Sequence, residues 1–435
     1  MLDTFKAFMA DEEAWNMYIT GVAGTGKTTN LRELIEYCQH VEIPTITAAF
    51  THKACGVLAE KLPQDTTITT LHSFLNKRPT INGDATSVKT IQSNMVFGET
   101  QHQGVLFVDE YSMVGEKDYM DLIAAQDPEY GAIPKFKVVW IGDPHQLPPV
   151  GDTQAISPRG EYCVELTHIY RQAGDNPLTD TLSKLIAMIE GAAPMPLEPH
   201  KTFARGQDIV QNYVSNGDVD KIILAHTNKR VEEINCQIMG RSEPQEGDYL
   251  FSPTTKKHYT FVEWVRNPRY ISLPFGDDLY LNSKYKTLEY LIQNDTRFAS
   301  VVDDEGEELV LACAFGHYQF KTTNEDLKAA AAQSNARIEK KFKGYRAAGW
   351  ANANKENKLA RARAKAWRDF LTFDECVVCL DFAHAMTVHK SQGSTYGTVY
   401  IDSDDLHICA HRSMQTYLKL MYVAVSRASK RVETN

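Results

Sequence analysis

Short apolar runs alternate with helical stripes through the first third of the chain. Met17–Thr20 has the length and composition of a buried strand, and Leu31, Leu34 and Ile35 follow at the spacing that lays one helix face on a core. Val105–Val108 and Phe136–Ile141 are further apolar runs of strand length, as a parallel sheet covered on both faces requires. Strands alternating with helices predict an α/β fold with parallel sheets. The pattern changes at residues 76–104, where Pro79, Asn82-Gly83 and the alternating pairs Val88/Ile91 and Met95/Phe97 predict a small hairpin. It changes again over 246–375. The first part, rich in Tyr and Val with turns such as Asp303 to Gly306, predicts a small β-barrel, although Thr260 to Arg297 fits no recognisable pattern. The second part predicts two helices, one with the stripe Ile338, Phe342, Tyr345 and one with Leu359, Ala362, Ala366, Phe370.

A chain of 435 residues exceeds one ordinary core, so two to four domains are expected. Hydrophobic content of 43% and charged content of 23% describe a globular protein rather than a disordered or fibrous one. No secretory signal and no membrane-length apolar run is read, and eight scattered cysteines suit reduced thiols. The expected setting is cytoplasmic, with no membrane. Net charge is −10, yet residues 322–372 hold 12 Lys/Arg against 5 Asp/Glu. A basic helical pair could contact a nucleic-acid backbone, or could simply be a solvated face.

The first strand runs into Gly21-Val22-Ala23-Gly24-Thr25-Gly26-Lys27-Thr28, which opens the first helix. Glycines let backbone N–H groups curl around phosphate oxygens, and the helix turns its positive end toward them. Lys27 would reach the β- and γ-phosphates, and the Thr28 hydroxyl would ligate Mg²⁺. Gly21, Gly24, Thr25, Gly26 and Thr29 complete the expected cradle. A chance Gly-rich turn is the alternative, but the strand before and helix after argue against it. Asp109 and Glu110 end the second strand, 82 residues after Lys27. Asp109 would hold Mg²⁺, directly or through water, and Glu110 would polarise the attacking water as general base. The third strand ends in Gly142 through Val150. Gln146 there could sense a γ-phosphate, unless the segment is only a Pro-rich turn.

In this order the motifs resemble superfamily 1 helicases, specifically the RecD-type and phage Dda-type subgroup. The resemblance rests on Gly21–Thr28, Phe50–Ala54 (FTHKA), Thr69–Ser73 (TTLHS), Asp109–Met113 (DEYSM) and Gly142–Pro149. It continues through Leu166–Gln172 (LTHIYRQ), Ala225–Asn228 (AHTN), Thr387–Thr395 (TVHKSQGST) and Tyr422–Ala428 (YVAVSRA). It implies two RecA-like P-loop lobes, with ATP and Mg²⁺ in the cleft and single-stranded DNA across their tops. Lobe one would be 1–75 and 105–155, interrupted by the wedge hairpin 76–104. Lobe two would be 156–245 and 376–435, interrupted by the barrel and basic helices of 246–375. Arg171 and Arg427 become arginine fingers from lobe two, with Gly393 beside the nucleotide. Thr51, His52, Thr70 and His72 fall where lobe one contacts the DNA backbone. Thr227, Asn228, His389, Lys390 and Thr395 fall in the matching lobe-two positions. Phe97 in the wedge either stacks on a base at the fork or packs the hairpin onto lobe one.

Two departures stand out. The leader helix from Thr4 onward lacks the Gln that reads adenine in the family, and only eight residues follow Arg427, leaving little room for the usual closing strand. Cys376 and Cys379, with His384 and His389 downstream, lack zinc-finger spacing, and alternation with Val377, Val378 and Leu380 predicts a core strand instead. The expected activity is an ATP-dependent, 5′-to-3′ DNA helicase acting on single-stranded and forked DNA. It would be a monomer, with a single-strand-binding protein or replisome component as a possible partner. Compact size without nuclease or primase motifs points to a phage or bacterial accessory motor. A translocase that strips bound proteins with little unwinding, and a P-loop regulatory switch, remain alternatives.

Overall fold

A computed structural model describes residues 1–50, 52–75, 77–79, 88–90, 104–126, 136–149, 153–168, 178–195, 201–202, 208–255, 257–273, 278–280, 296–347 and 353–435. They form two compact units, one of residues 1–78, 90–227 and 386–435, the other of residues 79–89 and 228–385.

The first unit holds two sheets. One has six strands in the order Thr67–Thr70, Thr45–Ala49, Gly104–Asp109, Phe136–Gly142, Asn16–Gly21 and Cys163–Leu166. Every pairing in it is parallel. The apolar runs read from the sequence are its central strands, and all seven residues of Phe136–Gly142 are buried. Side chains alternate between two cores, as strand periodicity demands. Val105 and Phe107 pack with Phe5, Phe8, Leu31 and Ile35, whereas Leu106 and Val108 pack with Leu71, Phe74, Leu122 and Trp140. Cys163–Leu166, expected in the second lobe, instead pairs with Asn16–Gly21 at the edge of this sheet. Parallel strands bring their carboxyl ends to one edge, and there the phosphate loop, Asp109 and Gly142 converge.

The second sheet has the order Ala385–Thr387, Lys221–Ala225, Tyr396–Ile401, Ala428–Thr434 and Lys201–Thr202. Its helices Leu178–Ile189 and Met414–Ser426 pack on each other. The expectation of little room for a closing strand is corrected here. Ala428–Thr434 runs parallel to Tyr396–Ile401, because at about 3.3 Å per residue a short tail already spans a sheet.

In the second unit, Tyr249–Phe251, His258–Trp264, Arg297–Asp303, Glu308–Phe315 and Val377–Phe382 close into a barrel. Leu250, Phe261, Val301, Leu311 and Leu380 fill its interior. Val377–Phe382, the segment with Cys379, is the core strand the alternation predicts. Its partners are barrel strands, parallel to Glu308–Phe315 and antiparallel to Tyr249–Phe251, rather than a second-lobe sheet. Between two neighbouring barrel strands the chain inserts the packed helices His317–Ala347 and Ala353–Cys376. Leu359, Trp367 and Phe373 are buried, while Lys340, Lys341, Lys343 and Arg361 are exposed. Asn235, on the helix Asn228–Met239, donates to Phe382 O at 2.9 Å and accepts from the Ala385 N–H at 2.9 Å.

Lys77–Pro79 and Val88–Thr90 pair as the two-stranded sheet expected of the hairpin. Ile91, Met95 and Phe97 lie outside the described residues. Among the described residues, no helix is long and apolar enough to cross a membrane.

Candidate active site

The strand Asn16–Gly21 delivers the phosphate loop, and the helix Lys27–His40 carries it away. Gly24 and Gly26 adopt φ of 86° and 79°, which glycine reaches without a Cβ penalty. A Cβ on Gly21 would lie 2.6 Å from Thr25 Oγ1 and 2.9 Å from Leu166 O, so the loop's close turn admits no larger residue. The buried Thr25 hydroxyl donates to Val22 O at 2.9 Å. Helix Lys27–His40 has no side-chain N-cap, which leaves its first N–H groups facing the loop's hollow. Lys27 Nζ is curled back on the loop, donating to Gly21 O at 2.6 Å and Val22 O at 3.0 Å.

Opposite the loop, Asp109 ends its strand, and Glu110 takes a left-handed φ of 56° that turns its carboxylate off the strand's line. Burial, reinforced by the neighbouring Glu110 charge and opposed by Lys27, pushes the Asp109 carboxyl well above the usual carboxylate range. Glu110 Oε2 is buried with no hydrogen-bond partner among the described residues. Gln146 is buried and accepts from Gln392 Nε2 at 3.4 Å.

These groups line a cavity of about 410 Å³, with Gly24, Gly26, Lys27, Thr28 and Thr29 on one wall and Gly393, Ser394, Thr395 and Arg427 on another. Arg427 is buried where the helix Met414–Ser426 ends. Its Nε donates to Val423 O at 3.2 Å, its Nη2 to Ser426 Oγ at 2.9 Å and its Nη1 to Ser394 O at 3.3 Å. A cation from the far end of the sequence thus shares one cavity with Lys27.

Residues 3–198 match the AAA domain model, and residues 382–432 match the UvrD-like helicase C-terminal domain model. Together these matches are consistent with a superfamily 1 helicase of RecD/Pif1 type. Among curated relatives, an uncharacterised protein of Acanthamoeba polyphaga mimivirus, R530, is 23% identical over 95% of this chain and 94% of its own length. The ATP-dependent RecD2 DNA helicase of Deinococcus radiodurans is 30% identical, but over only 40% of this chain and 22% of that protein. A crystal structure of Bacteroides Pif1 bound to ssDNA has a similar fold, with a TM-score of 0.52 at 16% identity over 99% of this chain and 91% of that one.

Within this helicase fold the expected site residues divide into three groups. Gly24, Gly26, Lys27, Thr28, Thr29, Asp109, Glu110, Gln146, Gly393 and Arg427 are brought together around the cavity. Thr395, expected on DNA, also lines this cavity. Arg171, Thr51 and Phe97 lie outside the described residues, and His52 opens the helix His52–Lys61.

The remaining candidate DNA residues sit elsewhere, several in roles of their own. Thr70 Oγ1 caps the short helix Leu71–Phe74 by accepting from the Ser73 N–H at 3.1 Å. His72 stands 3.3 Å from Asp118 and edge-on to Phe50. The Thr227 hydroxyl donates to Asp405 at 3.0 Å, and the same carboxylate accepts the His226 and Thr227 N–H groups. Asn228 begins the helix Asn228–Met239. Burial, with His226 nearby, lowers the His389 pKa and favours its neutral ring. The Lys390 N–H donates to Thr387 O at 2.9 Å.

Sequence reasoning missed Tyr422, Asp143 and His145. The Tyr422 hydroxyl donates to Asp143 Oδ2 at 2.5 Å and accepts from the Ala23 N–H at 3.2 Å. The only available signal was their membership in the motifs quoted for Arg427 and Gln146.

Proposed function

We propose that this chain hydrolyses Mg-ATP to travel 5′ to 3′ along single-stranded DNA and to part the strands of a forked duplex. The observation that carries the reading is the shared cavity of Lys27 and Arg427. A triphosphate held by the loop would have its terminal group flanked by a lysine and an arginine from opposite ends of the chain.

The residues present fit such a ligand. The hollow is rimmed by glycines in left-handed turns, faced by an uncapped helix start, and bordered by a buried Glu110 carboxylate oxygen with no hydrogen-bond partner among the described residues. Lys27 would exchange its carbonyl partners for phosphate oxygens. Thr28 and Asp109 would hold Mg²⁺, which would supply positive charge to offset that of the phosphates. Glu110 would accept the proton of the attacking water, Gln146 would report the terminal phosphate, and Arg427 would stabilise charge on the transferring group. Arg171 would serve as second finger on the strength of the resemblance. Lobe closure around ATP and opening after hydrolysis would alternate the grip on DNA.

His72, His389 and Lys390 are the proposed backbone contacts among the described residues. Residues 337–363, the distal part of the helical pair, carry 9 Lys/Arg against 2 Asp/Glu, and we assign that end to the phosphate backbone. The motor would act as a monomer in the cytosol of a bacterial or phage-infected cell, beside a single-strand-binding protein or replisome component.

The test is steady-state ATP hydrolysis with and without oligo(dT), followed by unwinding of forks carrying only a 5′ or only a 3′ tail. Strong stimulation by oligo(dT) and unwinding from the 5′ tail are expected. Hydrolysis indifferent to DNA would replace the motor reading with a nucleotide switch, and stimulated hydrolysis without strand separation would leave a translocase.

A further inference from the structure

The phosphate loop, the tip of the strand Phe136–Gly142 and the helix Met414–Ser426 meet at one phenol. Tyr422 is fully buried. Its hydroxyl donates to Asp143 Oδ2 at 2.5 Å and accepts from the Ala23 N–H at 3.2 Å, joining residues 279 and 399 positions apart. Asp143 is itself fully buried and further bound by the His145 N–H at 2.9 Å, while His145 Nε2 reaches Glu190 Oε1 at 3.0 Å. One turn earlier on the same helix, Lys419 Nζ donates to Pro144 O at 3.4 Å. The helix is therefore fastened at two successive turns to the strand tip that leads to Gln146.

Five residues beyond Tyr422 comes Arg427, and its guanidinium is tied to that helix through Nε and Val423 O. A helix is stiff over one turn, so whatever fixes Tyr422 fixes the base from which Arg427 reaches into the cavity. Asp143 stays charged because burial, which alone would raise its pKa, is outweighed by His145, Lys27 and the Tyr422 hydroxyl. A charged acceptor makes the phenol's hydrogen bond a strong one.

We propose that Tyr422 is a positioning residue, whose hydroxyl sets the Arg427 guanidinium in place against the phosphate loop. The proposal rests on the ATPase reading above and adds the means by which the arginine is aligned. Removing the hydroxyl leaves every side chain that lines the cavity in place and unpairs a single loop N–H, that of Ala23, so nucleotide should still bind while turnover falls.

The test is Tyr422→Phe in the full chain, with DNA-stimulated kcat and mant-ADP affinity measured together. Loss of a hydrogen bond to a charged group corresponds to a kcat about 10- to 100-fold lower, with affinity within about threefold of the unsubstituted chain. The same substitution in an Arg427→Ala background, read by single-turnover hydrolysis, should cost less than about twofold, because the group it positions is gone. An equal loss in both backgrounds, unchanged kcat, or a loss confined to affinity would overturn the proposal. Should Tyr422→Phe prove unstable, Tyr422→Phe with Asp143→Asn removes the unmatched buried charge. That pair should remain about tenfold slow in kcat. Its return to the unsubstituted rate would reduce Tyr422 to a satisfier of Asp143 and overturn the proposal. An unsubstituted chain with no turnover would sink the ATPase reading and this one with it; normal turnover with additive losses would sink this one alone.

Discussion

Lys137 is a cation inside the first sheet, only 1% exposed, on a strand otherwise built of apolar residues and a glycine. Its Nζ donates to Phe8 O at 2.6 Å and Asp11 O at 2.5 Å, and lies 4.7 Å from the Phe8 ring centroid. It therefore caps the carboxyl end of the leader helix Leu2–Ala10, whose Phe5 and Phe8 are fully buried. Lys137→Met keeps the length of the stem and opens no cavity, so the change isolates the ammonium group. Two hydrogen bonds from a charged donor are worth roughly 3–6 kcal/mol together, and the cation–π contact adds about 1 kcal/mol. Relief from burying the charge, whose desolvation lowers the Lys137 pKa, offsets part of that. A net destabilisation of about 2–4 kcal/mol remains, or roughly 5–15 °C in Tm for a unit of this size. Thermal melting followed by circular dichroism would measure it, and chymotrypsin should cut sooner at Phe5 and Phe8 as the leader frees itself. A Tm within about 1 °C of the unsubstituted protein, with unchanged cleavage, would refute the clamp.

Glu110→Gln should bind nucleotide normally yet lose turnover by about 10²–10⁴-fold in single-turnover assays, and near-normal hydrolysis would reject its role as base. Arg427→Ala should lower kcat by about 10³-fold or more while DNA affinity, read by fluorescence anisotropy, persists. Asp143 is held below its ordinary value of 3.8, so its contribution to stability is present above that value and is lost as pH falls through the lower folded one. The Tm advantage of the unsubstituted protein over Asp143→Asn should accordingly shrink below about pH 4, and a difference independent of pH would contradict it.

The half of the cavity built by the glycine loop and Asp109 was legible because its elements are local. A strand, a glycine turn and a helix start are contiguous in sequence, and Asp109 announces itself by ending an apolar run. The helical pair was legible as two apolar stripes, and the barrel only as a run of Tyr, Val and turns in which Thr260 to Arg297 fitted no pattern. What escaped was everything fixed by partners far away in the chain. Tyr422 and Asp143 look like ordinary motif members until folding brings them within 2.5 Å. Cys163–Leu166 and Val377–Phe382 were recognisable as extended, but which sheet each joins depends on topology rather than on their own residues. Thr395 carries a hydroxyl suited to phosphate of either kind, and only the loop's path places it on the wall of the cavity that Lys27 and Arg427 share.

The interleaving of the two units has a consequence for biosynthesis. The six strands of the first sheet are all translated by residue 166, so that half can consolidate while the ribosome is still working. The second sheet acquires Lys221–Ala225 early but must wait through the whole barrel and helical pair for Tyr396–Ile401 and Ala428–Thr434. Until then the strand Lys221–Ala225 has exposed edges and an unburied apolar face, a vulnerability for a nascent chain. Slowing elongation after residue 225 should therefore favour aggregation, whereas a pause before residue 201 should not.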